Sequence, residues 1–278
     1  MLPIPPTAVM PQDLWPKDVH DLVRLGRPYD GAYVVPRRAL MAARHLLSIG
    51  VNDDWSFDRD AAAMNPAMRL TGVDATTTVW YVLRRGLRFR AEYLAAWATG
   101  RKDKCRFLTS RMPSVRDYRG FWGRHTLIHK FLAPKPGPTT VALGDLMSAA
   151  SAAQPAPSVF LKIDIEGAEF GLLDDIVAAS DRLTGLAMEL HDVPAHQERV
   201  SDFLAALRTH LVLVHVHANT YDGVDEQTRL PRVLELTWMA RTLLTEPEVD
   251  VPGLPRPVLD QPSKYNHREI QLVRAQGG

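Results

Sequence analysis

Leu161-Lys162-Ile163-Asp164-Ile165-Glu166-Gly167-Ala168-Glu169 carries an apolar strand straight into three carboxylates and a glycine. Upstream, Val159, Phe160, Leu161, Ile163 and Ile165 form a nearly continuous apolar run, the pattern of a strand covered on both faces in a parallel sheet. Gly167 relaxes the backbone, and residues 168–179 repeat apolar side chains at helical spacing, so the unit reads strand, tight turn, helix. Ligands of open α/β sheets bind outside the carboxyl ends of the strands. Asp164 and Glu166 therefore stand at the mouth of a candidate site.

Outward from this unit the chain alternates strand and helix. Residues 45–51 read as a first core strand, with Ser56 a candidate cap for a helix through Met64, and residues 70–74 as a second strand. Residues 78–99 are helical in pattern, with an expected break at Gly86, and residues 106–110 are a short third-strand candidate. Residues 111–138 lack clear periodicity and carry scattered aromatics, which fits a mobile lid over the site or a region where periodicity is uninformative. Beyond the acidic unit come a strand at 186–191, an amphipathic helix at 195–210, and strands at 211–217 and 232–242. Two strands with no helix between them imply an antiparallel hairpin closing an otherwise parallel sheet. Residues 1–16 hold five prolines and predict an extended arm outside the core, suited to packing on a second copy in a homo-oligomer. Residues 17–278 then form a single domain, with the proline-rich stretch 252–262 on its surface.

Composition narrows the class. Of 278 residues 46% are apolar and 23% charged, an ordinary globular balance, and the formal charge of +1 gives no general reason to expect nucleic acid as a partner. Basic residues cluster at Arg84, Arg85, Arg88 and Arg90 and again at Arg101, Lys102, Lys104 and Arg106. They read as a solvated helix face or, alternatively, as a contact for an anionic substrate. The single Cys105 excludes an internal disulfide framework and fits a reducing cytoplasm. No run approaches the roughly 18 apolar residues of a membrane span, so a soluble, cytoplasmic protein is expected.

The acidic string from Lys162 to Glu169, with Leu172-Leu173 after it, resembles the signature of the FkbM-type family of S-adenosylmethionine-dependent methyltransferases. Tyr29-Asp30-Gly31-Ala32-Tyr33-Val34-Val35 is similar to that family's entry segment, and the stretch from Leu47 to Asp58 to its cofactor loop. His215-Val216-His217-Ala218-Asn219 and Leu259-Asp260-Gln261-Pro262 resemble its late patterns. The resemblance spans roughly residues 29–270. It implies a Rossmann-like class I methyltransferase fold, with a seven-stranded, mostly parallel sheet ending in an antiparallel hairpin. It also implies S-adenosylmethionine as cofactor and a hydroxyl acceptor on a sugar, glycolipid or natural product.

The residues themselves allow such a cofactor. A nucleoside needs a glycine-permitted turn after the first strand and a carboxylate after the second for the ribose hydroxyls, and Gly50 and Asp74 meet both demands. Asp53, Asp54 and Asp58 would repel a dinucleotide pyrophosphate but suit a sulfonium and an ammonium. With the resemblance, the residues expected to line the cofactor are Tyr29, Gly31, Gly50, Asn52, Asp53, Ser56, Asp74, Ala75 and Asp164.

For chemistry, ionisable groups recur at strand ends: Asp164 with Glu166, Glu189 with His191, and His215 with His217, followed by Asn219. Residues two apart on a strand share a face. Asp164, Glu189 and His217 are candidate ligands for a divalent cation such as Mg²⁺ or Mn²⁺. Without a metal, the carboxylates should pair with backbone donors or Lys162. Methyl transfer to a hydroxyl also needs a base, for which His191 or His217 is suited, with His191 preferred because it follows Glu189 by one strand repeat. Asp164 completes the expected catalytic set. Glu169 reads as a helix-dipole residue. N-methylation of a small amine and a non-catalytic S-adenosylmethionine-binding module are the alternatives.

Overall fold

The computed structural model describes residues 5–152 and 154–275. In chain order its elements begin with β1 (Thr7–Met10), β2 (Leu22–Leu25), β3 (Tyr33–Pro36) and α1 (Arg37–Ala42). The first parallel units follow as β4 (His45–Ile49), α2 (Ser56–Met64), β5 (Arg69–Val73), α3 (Val79–Ala98), α4 (Lys102–Arg111), α5 (Val115–Trp122) and β6 (Thr126–Ile128). A short pair, β7 (Phe131–Leu132) and β8 (Thr140–Val141), and α6 (Leu143–Ser151) lead to β9 (Val159–Ile163). The chain then forms α7 (Leu173–Ala179), β10 (Leu183–Leu190), α8 (Gln197–Leu207), β11 (Leu211–Ala218), β12 (Leu234–Ala240) and β13 (Gln271–Arg274).

Seven strands make one sheet in the order β11-β12-β10-β9-β4-β5-β6. All neighbours are parallel except β12, which lies antiparallel between β10 and β11. This is the expected closing hairpin, with its second strand inserted one place inward. Every residue of β9 is buried, and alternation along it serves two cores. Val159, Leu161 and Ile163 pack with α6, α7 and α8 on one face. Phe160 joins Leu46, Phe57, Val82 and Trp122 on the other. Helices therefore cover both faces, as a mostly parallel sheet requires.

The sequence reading needs correction in several places. Residues 5–16 are not an arm. β1 pairs in parallel with β13 of the same chain, Ala8 and Met10 are fully buried, and the Trp15 indole donates to the Val251 carbonyl at 2.9 Å. The apolar side chains between the prolines are buried against distant segments of the same chain, which removes the basis for oligomerisation through this segment; residues 1–4 lie outside the described residues. Residues 106–110 belong to α4, not to a strand. Residues 111–138 are no free lid: Tyr118, Phe121 and Trp122 are buried, and β6 is the edge strand of the central sheet. Gly72 makes this possible, because a Cβ there would fall 2.5 Å from the Trp122 ring. α3 runs unbroken through Gly86, tertiary contact overriding a propensity cost of about 1 kcal/mol. Within 252–262, Leu254 and Asp260 are buried. Among the described residues no helix is long and apolar enough to cross a membrane.

Candidate active site

Strand order reverses between β4 and β9, and such a switch point opens a crevice at the carboxyl ends. Gly50 leaves β4 there with φ +78°, and a Cβ on it would lie 1.6 Å from the Asp164 carbonyl oxygen. Only glycine fits between the two strand ends. The exits of β4, β9 and β10 each carry a residue in the left-handed region, Asn52 (φ +49°), Glu166 (φ +56°) and Asp192 (φ +49°). Such residues cost on the order of 1–3 kcal/mol each and gather at functional sites.

The crevice has two halves that share Gly50, Asn52, Asp164 and Glu166. The first, about 320 Å³, lies over β5 and is walled by Val73, Ala75, Phe131, Leu132 and Ile165, with Asp74 and Tyr81 on its rim. Asp74 accepts from the Asn52 amide at 2.8 Å, the Thr76 amide at 2.7 Å and the Thr77 amide at 3.0 Å. Burial raises its pKa, but these donors outweigh burial and hold it below the usual carboxylate value. Asp74 is thus ionised and pre-oriented. Its turn is anchored from outside, since Tyr118 Oη donates to the Thr77 carbonyl at 3.0 Å and Thr77 Oγ1 to the Asn52 carbonyl at 2.7 Å.

The second half, about 280 Å³, is rich in carboxylates, including Asp30, Asp53, Asp54, Asp58, Asp164 and Glu189, against the cations Lys162 and Arg111. Asp54 Oδ2 is buried without a hydrogen-bond partner among the described residues. Within it, Asp164, Glu189 and His191 each bring one potential ligand atom within 4.8 Å of the others. Tyr33 Oη donates to Asp164 Oδ2 at 3.1 Å. Lys162 Nζ, 3.7 Å from the same oxygen, donates to the Gly50 carbonyl at 2.8 Å. Asn219 Nδ2 donates to Glu189 Oε1 at 2.6 Å. Burial, then the nearby charges of Asp164, Glu235 and Asp30, push the Glu189 carboxyl well above its ordinary value.

His191 is held by Glu169. Glu169 Oε1 lies 2.8 Å from Nδ1 and accepts the His191 amide at 2.7 Å, while Oε2 accepts the Gly167 amide at 2.8 Å. Burial pulls the imidazole pKa down, but the hydrogen bond and charge of Glu169, followed by Asp164 and Glu166, raise it above the usual value. Nε2 is left facing Glu166 at 3.6 Å and Glu189 at 4.0 Å. A carboxylate on one ring nitrogen with the other directed into a cleft is how metal-binding and basic histidines are oriented.

Of the expected residues, Gly31, Gly50, Asn52, Asp53, Asp74, Ala75, Asp164, Glu189 and His191 line one half or the other. His217 does not. Its Nδ1 sits 3.2 Å from Glu235 and its Nε2 3.0 Å from Glu269, so neither nitrogen is available as base or ligand. His215 pairs with Asp260 at 2.8 Å. The tyrosine at 29 packs its ring edge-on against Phe107 at 5.4 Å instead of lining the cleft. Ser56 is the first residue of α2 rather than its cap; its hydroxyl accepts the Arg27 amide at 2.9 Å, and Asp54 accepts the Ser56 amide at 2.9 Å. Glu169 orients His191 rather than merely favouring a helix end. Tyr33, Arg111 and Phe131 also reach the cleft, Tyr33 from the entry segment and the other two from the aperiodic stretch 111–138, although no local pattern singled out these residues within their segments. Arg111 pairs with Asp30 at 3.0 Å at the mouth.

Strand order and crevice together define a Rossmann-like fold of the class I methyltransferase type, α/β with a seven-stranded, mostly parallel sheet. No protein-family model matches the chain, and no curated protein matches it. Among solved structures it is similar to the fibrillarin pre-rRNA processing protein of Methanococcus jannaschii, at 5% identity over 73% of this chain and 68% of that one, TM-score 0.36. It is also similar to a precorrin-6y C5,15-methyltransferase of Geobacter metallireducens, at 12% identity over 74% and 86% of the two chains, TM-score 0.33. A 16S rRNA adenine methyltransferase of Catenulisporales acidiphilia matches at 15% identity over 78% and 98%, TM-score 0.32. Two of these three are named for ribosomal RNA. The expectation of no nucleic-acid partner, drawn from the +1 formal charge, is not upheld.

Proposed function

We propose that this chain is an S-adenosylmethionine-dependent O-methyltransferase whose acceptor is a hydroxyl of a sugar, glycolipid or natural product. The observation that carries the reading is the shared wall of the crevice. An apolar, Asp74-rimmed half fit for adenosine meets a carboxylate-rich half fit for the cationic methionine end, and Asp164 stands between them. The FkbM-type resemblance of residues 162–169 supports the hydroxyl acceptor. When bound, the cofactor supplies an electrophilic methyl group. Asp74 would hold the ribose through charged hydrogen bonds, and the carboxylate-rich half would attract the sulfonium and ammonium. His191, with Nδ1 committed to Glu169, presents Nε2 to take the acceptor proton.

Asp164, Glu189 and His191 also fit a hard divalent cation such as Mg²⁺ or Mn²⁺. An ion there would orient two acceptor oxygens and lower a hydroxyl pKa. His191 Nε2 would be the third residue holding such an ion, and without one it would be free to serve as the base. The surplus of carboxylates favours a second reading, N-methylation of a small amine, because a cationic acceptor would be held by the same charge.

Calorimetric titration with S-adenosylmethionine tests the proposal. Wild-type protein should bind, and Asp74→Ala should bind about tenfold or more weakly, since a hydrogen bond to a charged group contributes ~1.5–3 kcal/mol. Absence of binding by the wild type, or unchanged affinity in a folded Asp74→Ala variant, would overturn it.

A further inference from the structure

α3 presents an apolar seam to solvent. Trp80, Leu83, Leu87, Leu94 and Trp97 recur at intervals of three, four, seven and three residues, which places them along one side of the helix. Their exposure runs from 37% at Leu83 to 74% at Trp80. From Trp80 to Trp97 of this 20-residue helix the seam extends for about 26 Å at ~1.5 Å per residue. An exposed apolar strip of this length, crossed once by Arg90, marks an interaction surface, whereas single exposed leucines need no explanation.

Charge identifies the occupant. Residues 79–106 contain eight Lys or Arg and two acidic residues, Glu92 and Asp103. Glu92 is already engaged by Arg88 at 3.0 Å and Lys104 at 3.7 Å, and Asp103 faces Arg106 at 3.8 Å. Arg84, Arg101 and Lys102 are exposed beside the seam and Arg90 is exposed within it. An apolar face with tryptophan near each end and cations along its edge is the make-up of a helix lying in the interface of an anionic bilayer. A second copy fits less well. Arg90 occupies the seam position between Leu87 and Leu94, and a twofold contact would bury two such guanidinium groups with no acid beside them, at a desolvation cost that lipid phosphates would instead relieve. The cations alone would also suit a nucleic-acid backbone, so it is the leucines between the two tryptophans that favour lipid.

We propose that α3 is a peripheral membrane-docking element that lays this seam on an anionic lipid surface. The same helix reaches the cofactor loop from its other side, Arg85 pairing with Asp53 at 2.7 Å and Tyr81 Oη with Asn52. Docking therefore holds the crevice beside the bilayer. If the methyl-transfer reading stands, the acceptor is a hydroxyl carried on a lipid, but the docking itself does not rest on that reading.

Co-sedimentation with vesicles tests it. Wild-type protein should bind vesicles of phosphatidylcholine mixed with phosphatidylglycerol at low salt, bind phosphatidylcholine alone poorly, and show blue-shifted tryptophan emission when bound. Leu87→Gln with Leu94→Gln, and separately Arg84→Glu with Arg90→Glu, should each weaken vesicle binding about tenfold or more. Both variants should keep wild-type thermal melting and S-adenosylmethionine affinity, since none of these side chains lines the crevice. Four results would overturn the proposal: no preference for the anionic vesicles, binding indifferent to both variant pairs, a wild-type dimer that the leucine variants make monomeric, or binding of a structured RNA in place of vesicles. Loss of S-adenosylmethionine binding by the wild type with vesicle binding intact would remove only the lipid-acceptor corollary.

Discussion

Glu189 is a costly side chain to hold in the crevice as a carboxylate. It is buried beside Asp164 and in register with Glu235 on the next strand, with Asn219 as its charge-relieving donor. A buried carboxylate among carboxylates takes up a proton or a cation. We expect Mn²⁺, followed by electron paramagnetic resonance, to bind the wild type and to be lost or weakened at least tenfold in Asp164→Asn and Glu189→Gln, both of which keep side-chain shape. His191→Gln should weaken Mn²⁺ binding if Nε2 is a ligand and leave it unchanged if Nε2 serves only as base. Undiminished Mn²⁺ binding in the two carboxylate variants would eliminate this cluster as the metal site. Gly50, Asp74, Asp164 and Glu189 were legible in the sequence because a strand ending in a glycine or an acid already tells where that residue points. The grip of Glu169 on His191 was not, because it joins residues 22 positions apart across two strand exits. The choice between His191 and His217 depended on partners, Glu235 and Glu269, that no spacing rule connects to them.

At the scale of elements, the segment from α5 to β8 builds a wall of the apolar half of the crevice rather than a cover over it. Tyr118 fixes the turn after Asp74, the Trp55 indole donates to Asp117 at 3.0 Å, and Phe131 and Leu132 wall the apolar half. Its pattern looked aperiodic because it changes element every few residues: an eight-residue helix, a three-residue strand and then strands of two residues each. Each is shorter than the window over which a helical or strand period can be read. Hydrogen exchange should accordingly find the backbone amides of α5 and of β6 protected in the ligand-free protein, with S-adenosylmethionine slowing exchange further around residues 130–132. Fast exchange across residues 115–128 without ligand, slowed only on binding, would restore the lid reading.

For the whole molecule, the sheet was legible and its buried charge was not. Alternation of strand and helix predicted a mostly parallel sheet with a terminal antiparallel hairpin, and the resemblance implied its seven strands, although the third was placed at residues 106–110 instead of at β6; the C-terminal chain read as proline-rich surface. That chain in fact closes the back of the sheet: Asp260 meets His215 and Glu269 meets His217, with Arg24 of β2 near the same acids. Burial would lower the His217 pKa, but Glu235 and Glu269 raise it well above its ordinary value, so the folded protein holds a proton there that the unfolded chain releases near pH 6.5. A raised folded pKa contributes stability that is fully present below the unfolded value and is lost as pH rises through the folded one. Glu189, whose pKa is also raised, acts in the same direction from about pH 4.3 upward. Urea unfolding of the ligand-free protein should therefore show stability falling above about pH 6.5, by up to about 1.4 kcal/mol per pH unit for each proton involved. His217→Gln should be less stable by about 3–5 kcal/mol at pH 6, because it leaves Glu235 and Glu269 without their cation. Its stability should then fall less steeply between pH 6.5 and the alkaline range than that of the wild type, and parallel pH profiles for the two proteins would show that His217 is not the group whose proton the fold retains.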